Sequence, residues 1–407
     1  MIRFFRKNLR FLSAGMVLTL NSSFGQTFFI SIFAAQIMSI HGLSNGEWGL
    51  IYTAGTTASA VVMFWTGALT DRFRARTLAW FIMPGLAMTC LTMALSTSIA
   101  SLLGTVFFLR FLGQGMIYQM ASVSMARWFL ARRGMALSVA GMGIAAGQAV
   151  FPVAAAALLL TIDWQSIWIA SSVFILMCFP LVLWLLGRER TPQSLAQENT
   201  SVGMEGRHWT RAEVLRSGFF WTLVPLLLGP PAWGTALLFQ QVHIAQVKGW
   251  PLIEYLALLP VMTIVSVGAM LGTGALIDRF GSGRLLQVFP LTWIAGFVIL
   301  GAADTLALAF LAFVAFGFAT GMQVTLITVF WAEYFGTRHI GAIKATSASI
   351  MVLGSAVGPG VSGLMIDFGF DFPQQMWGIA LYFALSAALA CVAVERATAA
   401  LPQTASS

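Results

Sequence analysis

The heptapeptide GALTDRF occupies residues 67–73, and a near-copy, GALIDRF, occupies residues 274–280. The two differ only at Thr70 and Ile277, and their starting positions differ by 274 − 67 = 207 residues, close to half of the chain. A second segment repeats with the same displacement. Its shared residues are Gly134, Gly147, Ala149, Val150 and Pro152, which recur as Gly341, Gly354, Ala356, Val357 and Pro359. Two separate segments with one displacement indicate that a structural unit has been duplicated.

The composition indicates a membrane protein. Of 407 residues, 58% are hydrophobic and 9% are charged, whereas a soluble domain has about 25% charged residues. A helix needs about 20 mainly apolar residues to cross the hydrocarbon layer. The apolar stretches predict spans near 11–40, 47–70, 77–96, 99–126, 134–160, 165–187, 218–243, 253–277, 284–302, 305–332, 340–366 and 374–394. The predicted fold is therefore an all-α membrane protein with 12 transmembrane helices.

Each copy contributes six spans, so both copies enter the membrane in the same direction as parallel repeats. We expect an N-terminal six-helix bundle at 1–187, a cytoplasmic linker at 188–217 and a C-terminal six-helix bundle at 218–407. The end of the linker, from Trp209 to Leu215, is expected to form a short amphipathic helix on the membrane surface.

The charge distribution fixes the expected topology. With the N-terminus inside, all of the 22 Lys and Arg residues except Lys248 and Arg110 fall on the cytoplasmic side. This asymmetry is the positive-inside pattern, so the net charge of +8 requires no nucleic-acid partner. The expected location is the bacterial inner membrane, with both termini cytoplasmic. The first apolar run follows basic residues but is too long for a signal peptide, so it is interpreted as the first span.

Several motifs resemble those of the major facilitator superfamily of transporters. GALTDRFRAR (67–76) resembles the family's Asp-Arg motif between the second and third spans, and GALIDRFGSGR (274–284) resembles its echo in the second half. RFLGQG (110–115) is similar to the fourth-span Arg-Gly motif, and WFLARRGMALSVAGMGIAAGQAVFP (128–152) to the entry of the fifth span. Within this superfamily, the sequence most resembles prokaryotic monocarboxylate or oxalate/formate-type porters. The segments that carry this resemblance are WTRAEVLRSGFFWTL (209–223) and WAEYFGTRHIGAIKA (331–345). The resemblance implies two bundles that rock about a central site.

The repeated Asp-Arg segments are candidate gating elements, because charges at span ends can pair in one state and separate in another. The candidates are Asp71, Arg72, Arg76, Asp278, Arg279 and Arg284. The alternative interpretation is that these charges only enforce topology and cap helix ends.

Arg110 is the one charged residue expected near the middle of a predicted span. Burying it costs about 2.5–3.5 kcal/mol on the insertion scale, so it requires partners. Gln114 and Tyr118 follow at intervals of four, which places all three on one helix face. This face either attracts an anionic group of a substrate or is held by helix carbonyls as a packing motif.

Other polar and aromatic residues at membrane depth are candidates for the same substrate site. They are Gln26, Phe29, Tyr52, Gln148, Trp233, Gln240 and Gln323. Gln26, Gln240 and Gln323 are favoured, because the resemblance implies that the first, seventh and tenth spans line the cavity. Each buried amide is also compatible with interhelical packing.

These patterns predict a secondary active transporter of a small organic solute, specifically an organic anion or monocarboxylate. No Asp or Glu falls at membrane depth in the predicted spans, which disfavours carboxylate-based proton coupling. An acid substrate could carry its own proton, or one anion could exchange for another. The expected partners are therefore the solute, a co-transported ion or exchanged anion, and membrane lipid.

Three alternatives remain open at this point. The 33 Phe, 14 Trp and 20 Met residues are compatible with an exporter of lipophilic drugs or metabolites. A membrane sensor that moves no solute is a second alternative. An enzyme is the least favoured class, since no Ser-His-Asp set, metal cluster or phosphate loop can be assembled. No cofactor or metal is expected, and the chain is expected to be monomeric.

Overall fold

The structure is a computed structural model that describes residues 2–66, 69–129, 133–187, 202–336 and 338–398. The first part of the predicted linker, 188–201, and the motif residues Gly67 and Ala68 lie outside these ranges. Within them every regular element is helical. The α-helices are α1 Ile2–Ser22, α2 Thr27–Ile30, α3 Ala34–His41, α4 Asn45–Thr66, α5 Leu69–Arg72, α6 Ala75–Ala94, α7 Ile99–Phe108, α8 Tyr118–Trp128, α9 Arg133–Leu158, α10 Trp164–Leu185, α11 Arg211–Arg216, α12 Gly218–Phe239, α13 Gln241–Lys248, α14 Leu252–Leu256, α15 Leu258–Phe280, α16 Ser282–Ala302, α17 Leu306–Phe335, α18 Ile340–Asp367 and α19 Phe372–Thr398.

A helix lies at each of the twelve predicted span positions. In the described part of the chain, ten helices are long and apolar enough to cross a membrane, and one bent pair raises this number to eleven. The remaining position is that of α4, which is 22 residues long. The all-helical membrane fold expected from the apolar stretches is therefore confirmed.

The helix boundaries repeat with the displacement found in the sequence. Adding 207 to the start of α6 at Ala75 gives Ser282, where α16 begins, and adding it to Arg133 gives Ile340, where α18 begins. The same addition moves Ile99 and Trp128, which bound α7 to α8, onto Leu306 and Phe335, the ends of α17. The duplication thus extends from the motifs to the helices.

The first span, expected near 11–40, is interrupted. After α1 the chain forms a short 3₁₀ turn at Ser23–Gly25, and Gln26 then adopts extended backbone angles, φ −89° and ψ 152°, before α2 begins. The two parts of the span, Asn8–Gly25 and Thr27–His41, are bent by 48°. A membrane helix tolerates such a break where neighbouring helices and serine or threonine side chains can satisfy the freed backbone groups.

The chain divides into two compact units. Unit 1 comprises Met1–Gln197, Leu238–Val242 and Pro359–Asp367, and unit 2 comprises Glu198–Leu237, His243–Gly358 and Phe368–Ser407. In unit 1, α1 packs against α9 and α6 packs against α10. In unit 2, α17 packs against α15 and α16, and α16 also packs against α19. The pairing of α16 with α19 repeats that of α6 with α10, as a duplicated bundle requires.

Candidate functional site

Arg110 lies in a stretch of unusual helix within unit 1. The nine residues Leu109–Ile117 between α7 and α8 wind as a π-helix, a form that is rare and often found at functional positions. The corresponding residues of the second copy lie inside α17, which runs without interruption for 30 residues. The π-helix is therefore a feature of the first copy, and Arg110 is matched in the second by Gly317.

The guanidinium of Arg110 stabilises the break in the first span. Its Nη1 donates hydrogen bonds to the carbonyl oxygen of Gly25 at 3.1 Å and to the Thr27 hydroxyl at 3.3 Å. Gly25 ends the 3₁₀ turn and Thr27 begins α2, so a single side chain contacts both sides of the break. A carbonyl freed by a helix break needs such a donor in a membrane.

The backbones of the two segments nearly touch. A Cβ atom placed on Gly25 would lie 2.2 Å from the carbonyl oxygen of Leu109 and 2.7 Å from the Cα atom of Gly113. One placed on Gly113 would lie 2.7 Å from the Cα atom of Gly25. No residue with a side chain fits at either position. The close approach also brings the backbone of Arg110 near the Gly25 carbonyl.

Tyr52 of α4 completes the cluster around the guanidinium. Its hydroxyl lies 2.6 Å from the hydroxyl of Thr27, and the Cζ atom of Arg110 lies 5.2 Å from the centre of its ring. A cation over an aromatic face gains about 2 kcal/mol or more when the pair is desolvated. We define Gly25, Thr27, Tyr52 and Arg110 as the Arg110 cluster.

The Arg110 cluster carries an unbalanced charge. Among the residues whose side chains the structure describes, Arg110 is the one charged side chain that is buried, with 1% of its surface exposed. Its described partners are a carbonyl, a hydroxyl and an aromatic ring. Within the described part of the chain, its Nε and Nη2 atoms have no hydrogen-bond acceptor. Since buried polar groups are normally hydrogen-bonded, the two remaining donors are suited to an anionic group.

Three further first-half candidates lie in or next to the break of the first span and the π-helix. Gln26 is the extended residue at the break itself, and Gln114 belongs to the π-helix; both are half-buried. Tyr118 is 43% exposed at the start of α8. The structure therefore places Gln26 beside the Arg110 cluster along the chain but describes no contact of either glutamine side chain with the guanidinium.

Phe29 and Gln148 have different surroundings. Phe29 is 2% exposed and packs edge-on against Phe24 and Trp168, with ring centres 5.2 and 5.1 Å away. Its described contacts are those of an aromatic core. Gln148 is half-buried in α9.

The second-half candidates are divided between the units. Gln240 belongs to unit 1, where it is 4% exposed and donates to the Ser362 hydroxyl at 2.9 Å. Trp233 and Gln323 belong to unit 2. The ring of Trp233 lies edge-on to Tyr382, with centres 5.9 Å apart, and Gln323 is half-buried.

The candidate gating residues are only partly visible. The side chains of Asp71 and Arg72 lie outside the described part of the structure. Arg76 is exposed near the start of α6, and Asp278, Arg279 and Arg284 are exposed around the junction of α15 and α16. The guanidinium of Arg279 lies 5.2 Å from the centre of the Phe280 ring.

Sequence reasoning missed a second hydrogen-bonded group in unit 1. The Nε2 atom of Gln241 donates to the carbonyl oxygen of Phe28 at 3.0 Å and to the Ser31 hydroxyl at 2.9 Å. Ser31 in turn donates to the carbonyl oxygen of Leu238 at 2.7 Å. The carboxylate of Asp367 accepts from the backbone of Gly46 at 2.9 Å. The segments Leu238–Val242 and Pro359–Asp367 are thus bonded to residues of the first and second spans.

Gly25 and Thr27 were also missed, although they anchor the Arg110 cluster. A signal was present, because NSSFGQT (21–27) is an unusually polar run inside an apolar span. Such a run marks a place where a membrane helix can break.

The fold consists of duplicated membrane-spanning helices, with a broken first span and a buried arginine beside the break. The family model described as Major Facilitator Superfamily matches residues 15–359. The chain belongs to this superfamily, which places it among transporters rather than enzymes and confirms the resemblance of the motifs.

Solved structures share the fold. One is a bacterial homologue of the human lysosomal transporter Spinster in an inward-facing conformation, with a TM-score of 0.73, 16% identity, and 98% of this chain and 99% of that chain covered. Another is the nucleoside transporter NupG, with a TM-score of 0.68, 14% identity, and 96% and 98% of the two chains covered. At these identities the likeness concerns the fold alone.

A curated relative is similar over a shorter stretch. The glucose transporter GlcP of Staphylococcus epidermidis is 24% identical over 125 residues. The match spans 30% of this chain and 27% of that protein.

Proposed function

We propose that this protein is a secondary active transporter that moves a small organic anion of the monocarboxylate class across the bacterial inner membrane by alternating access. Arg110 is the charge partner of the substrate carboxylate. The observation that carries the proposal is the buried guanidinium, whose Nε and Nη2 atoms lack an acceptor among the described residues.

The chemistry of the Arg110 cluster favours an anion over a cation or a neutral solute. A carboxylate can accept two parallel N–H donors from one guanidinium, and such charge-assisted bonds are about twice as strong as neutral ones. A cationic solute would be repelled by Arg110, whose described neighbours include no carboxylate. A neutral solute would leave the positive charge uncompensated, which is costly in a membrane.

The two copies differ at the positions that matter for this proposal. Thr27, Tyr52 and Arg110 correspond to Gly234, Leu259 and Gly317 at the displacement of 207 residues. The polar cluster is therefore confined to the first copy. A purely architectural role in the duplicated fold would be expected in both copies, so the asymmetry supports a role in substrate binding.

The proposal is tested with purified protein in proteoliposomes. Uptake of labelled lactate, pyruvate and formate is compared with that of glucose and uridine, which represent the solute classes named for the similar transporters. We expect carboxylate uptake with the wild type and loss of it in Arg110→Gln. Loss of one charge-assisted bond costs about 1.5–3 kcal/mol, which corresponds to about 10- to 100-fold in affinity.

The control is Arg216→Gln, which removes one positive charge from an exposed position on α11. It should retain carboxylate uptake. Uptake of glucose or uridine that survives Arg110→Gln, without any carboxylate transport by the wild type, would refute the assignment of an organic anion.

A further inference from the structure

A cavity lies beside the first-half Asp-Arg motif, apart from the Arg110 cluster. It has a volume of about 320 Å³ and is lined by Arg74, Arg76, Thr77, Trp80, Leu186 and Gly187. The first four residues surround the start of α6, and the last two follow the end of α10. We name this cavity the α6–α10 pocket. With the predicted topology, it lies at the cytoplasmic surface of the membrane.

The lining has a charged part and an apolar part. Two of its six residues are arginines and none is acidic. Trp80 lies one helical turn beyond Arg76 on the same face of α6, and thus about 6 Å deeper at a rise of 1.5 Å per residue. Its indole is 55% exposed and packs edge-on against Phe179, with ring centres 5.1 Å apart. Tryptophan at this depth is typical of the membrane interface.

Each arginine also makes a contact within the protein. A guanidinium has five N–H donors, so one arginine can bind more than one acceptor. Thr77 adds a hydroxyl. The start of α6 has no side-chain cap, since Arg74 adopts extended angles, φ −67° and ψ 144°, without a capping bond. Uncapped backbone N–H groups add to the attraction for an anion.

Arg10 neutralises the opposing helix end. Its Nε donates to the carbonyl oxygen of Leu185 at 3.0 Å, and its guanidinium also contacts the carbonyl of Trp184. The Cζ atom lies 4.7 Å from the centre of the Trp184 ring. The C-terminal end of a helix carries partial negative charge. Arg10, which belongs to α1, compensates this charge next to the pocket, so the end of α10 does not repel an anion there.

The second copy has no such lining. At the displacement of 207 residues, Arg74, Arg76 and Trp80 correspond to Gly281, Gly283 and Gln287. A Cβ atom on Gly283 would lie 2.2 Å from the Tyr334 hydroxyl, so protein atoms already crowd this position. The fold can therefore be built without the two arginines and the tryptophan, which argues against a purely structural role for them.

We propose that the α6–α10 pocket binds the phosphate group of an anionic phospholipid of the cytoplasmic leaflet. Arg74 and Arg76 contact the phosphate, Thr77 donates to it, and Trp80 lies against the glycerol and the first part of an acyl chain. Basic pockets between helices on this side of a membrane suit anionic headgroups. Free phosphate shares the anionic chemistry but gains nothing from Trp80 and the apolar wall.

The test measures the melting temperature of the full chain in a neutral detergent. Phosphatidylglycerol, phosphatidylcholine with the same acyl chains and inorganic phosphate are added separately. We expect a larger rise with phosphatidylglycerol than with phosphatidylcholine and no rise with phosphate, because a ligand of the folded form raises the melting point. In the double variant Arg74→Gln/Arg76→Gln, the excess of phosphatidylglycerol over phosphatidylcholine should be lost.

Two further variants separate lipid binding from folding and from total charge. Arg216→Gln/Arg338→Gln removes the same charge from exposed positions outside the pocket and should keep the excess. Arg74→Lys/Arg76→Lys keeps the charge and should retain part of it. Equal shifts with both lipids in the wild type, or an undiminished excess in Arg74→Gln/Arg76→Gln, would overturn the proposal. A shift produced fully by inorganic phosphate would overturn the lipid as the ligand.

Discussion

Arg110 and Gly25, 85 positions apart in the chain, are joined by a hydrogen bond of 3.1 Å from Nη1 to the carbonyl oxygen. This bond ties the π-helical segment to the break in the first span. Since the carbonyl is freed by that break and the donor is a buried charge, each group compensates for the other. The geometry of the cluster therefore depends on the backbone as much as on the arginine itself.

The close approach of Gly25 and Gly113 predicts a steep cost for added volume. In Gly25→Ala the new methyl group would collide with the backbone of the π-helix, and such overpacking costs about 1–3 kcal/mol. We expect a lower melting temperature in detergent. Gly104→Ala is the matched control, because nothing lies within 4 Å of its Cβ position in α7. This variant should be neutral or stabilising, since alanine stabilises a helix by about 0.5–1 kcal/mol relative to glycine. Equal losses in both variants would contradict the predicted collision.

The hydroxyls of Thr27 and Tyr52 should be energetically coupled. They lie 2.6 Å apart and both are buried, so Thr27→Val and Tyr52→Phe each remove this buried hydrogen bond, at about 0.5–1.5 kcal/mol. In a double-mutant cycle of unfolding free energies in mixed micelles, we expect a coupling of about 0.5–3 kcal/mol. Thr89 donates to Gly85 in its own helix at 2.7 Å and provides the control. Thr89→Val combined with Tyr52→Phe should be additive, and a cycle with Thr27→Val that is equally additive would exclude the coupling.

Trp209 should hold the end of the linker against α17. Its backbone N–H donates to the carbonyl oxygen of Phe335 at 3.0 Å, and the two rings lie 5.6 Å apart. The guanidinium of Arg207 lies over the indole at 4.3 Å. Trp209→Ala keeps the backbone N–H but loses the two ring contacts, which should expose the peptide bonds after Arg207 and Arg211, so we expect faster tryptic cleavage there. Trp377→Ala, at a 53% exposed position of α19, should cleave at the wild-type rate; identical rates in the two variants would exclude the docking role.

The helix positions could be predicted because they follow from apolar length alone. A membrane helix must satisfy its own backbone, so an apolar run between charged ends predicts a span without knowledge of its neighbours. The repeat with a displacement of 207 residues could likewise be detected in the sequence without knowledge of tertiary contacts. Helices α16, α17 and α18 begin where this repeat requires. The short helix expected from Trp209 to Leu215 also forms, as α11, with Thr210 and Glu213 in a reciprocal cap.

The arrangement of the Arg110 cluster could not be derived in the same way. Arg110 and Tyr52 were candidates because a charge and a phenol at membrane depth need partners. The identity of those partners depends on where two backbones cross, at Gly25 and Gly113, which is a tertiary property. The residues at 22–27 are each tolerated within membrane helices, so the break at Gln26 was not predicted.

The break in the first span and the arginine that supports it are encoded in separate regions of the gene, and neither is favourable alone. A homologue with an apolar residue in place of Arg110 is therefore expected to have a continuous first helix, and one with a continuous first helix is expected to lack the basic residue. Covariation of these two sites across related sequences would serve as a criterion for dividing the superfamily into members that share this charged core and members that do not.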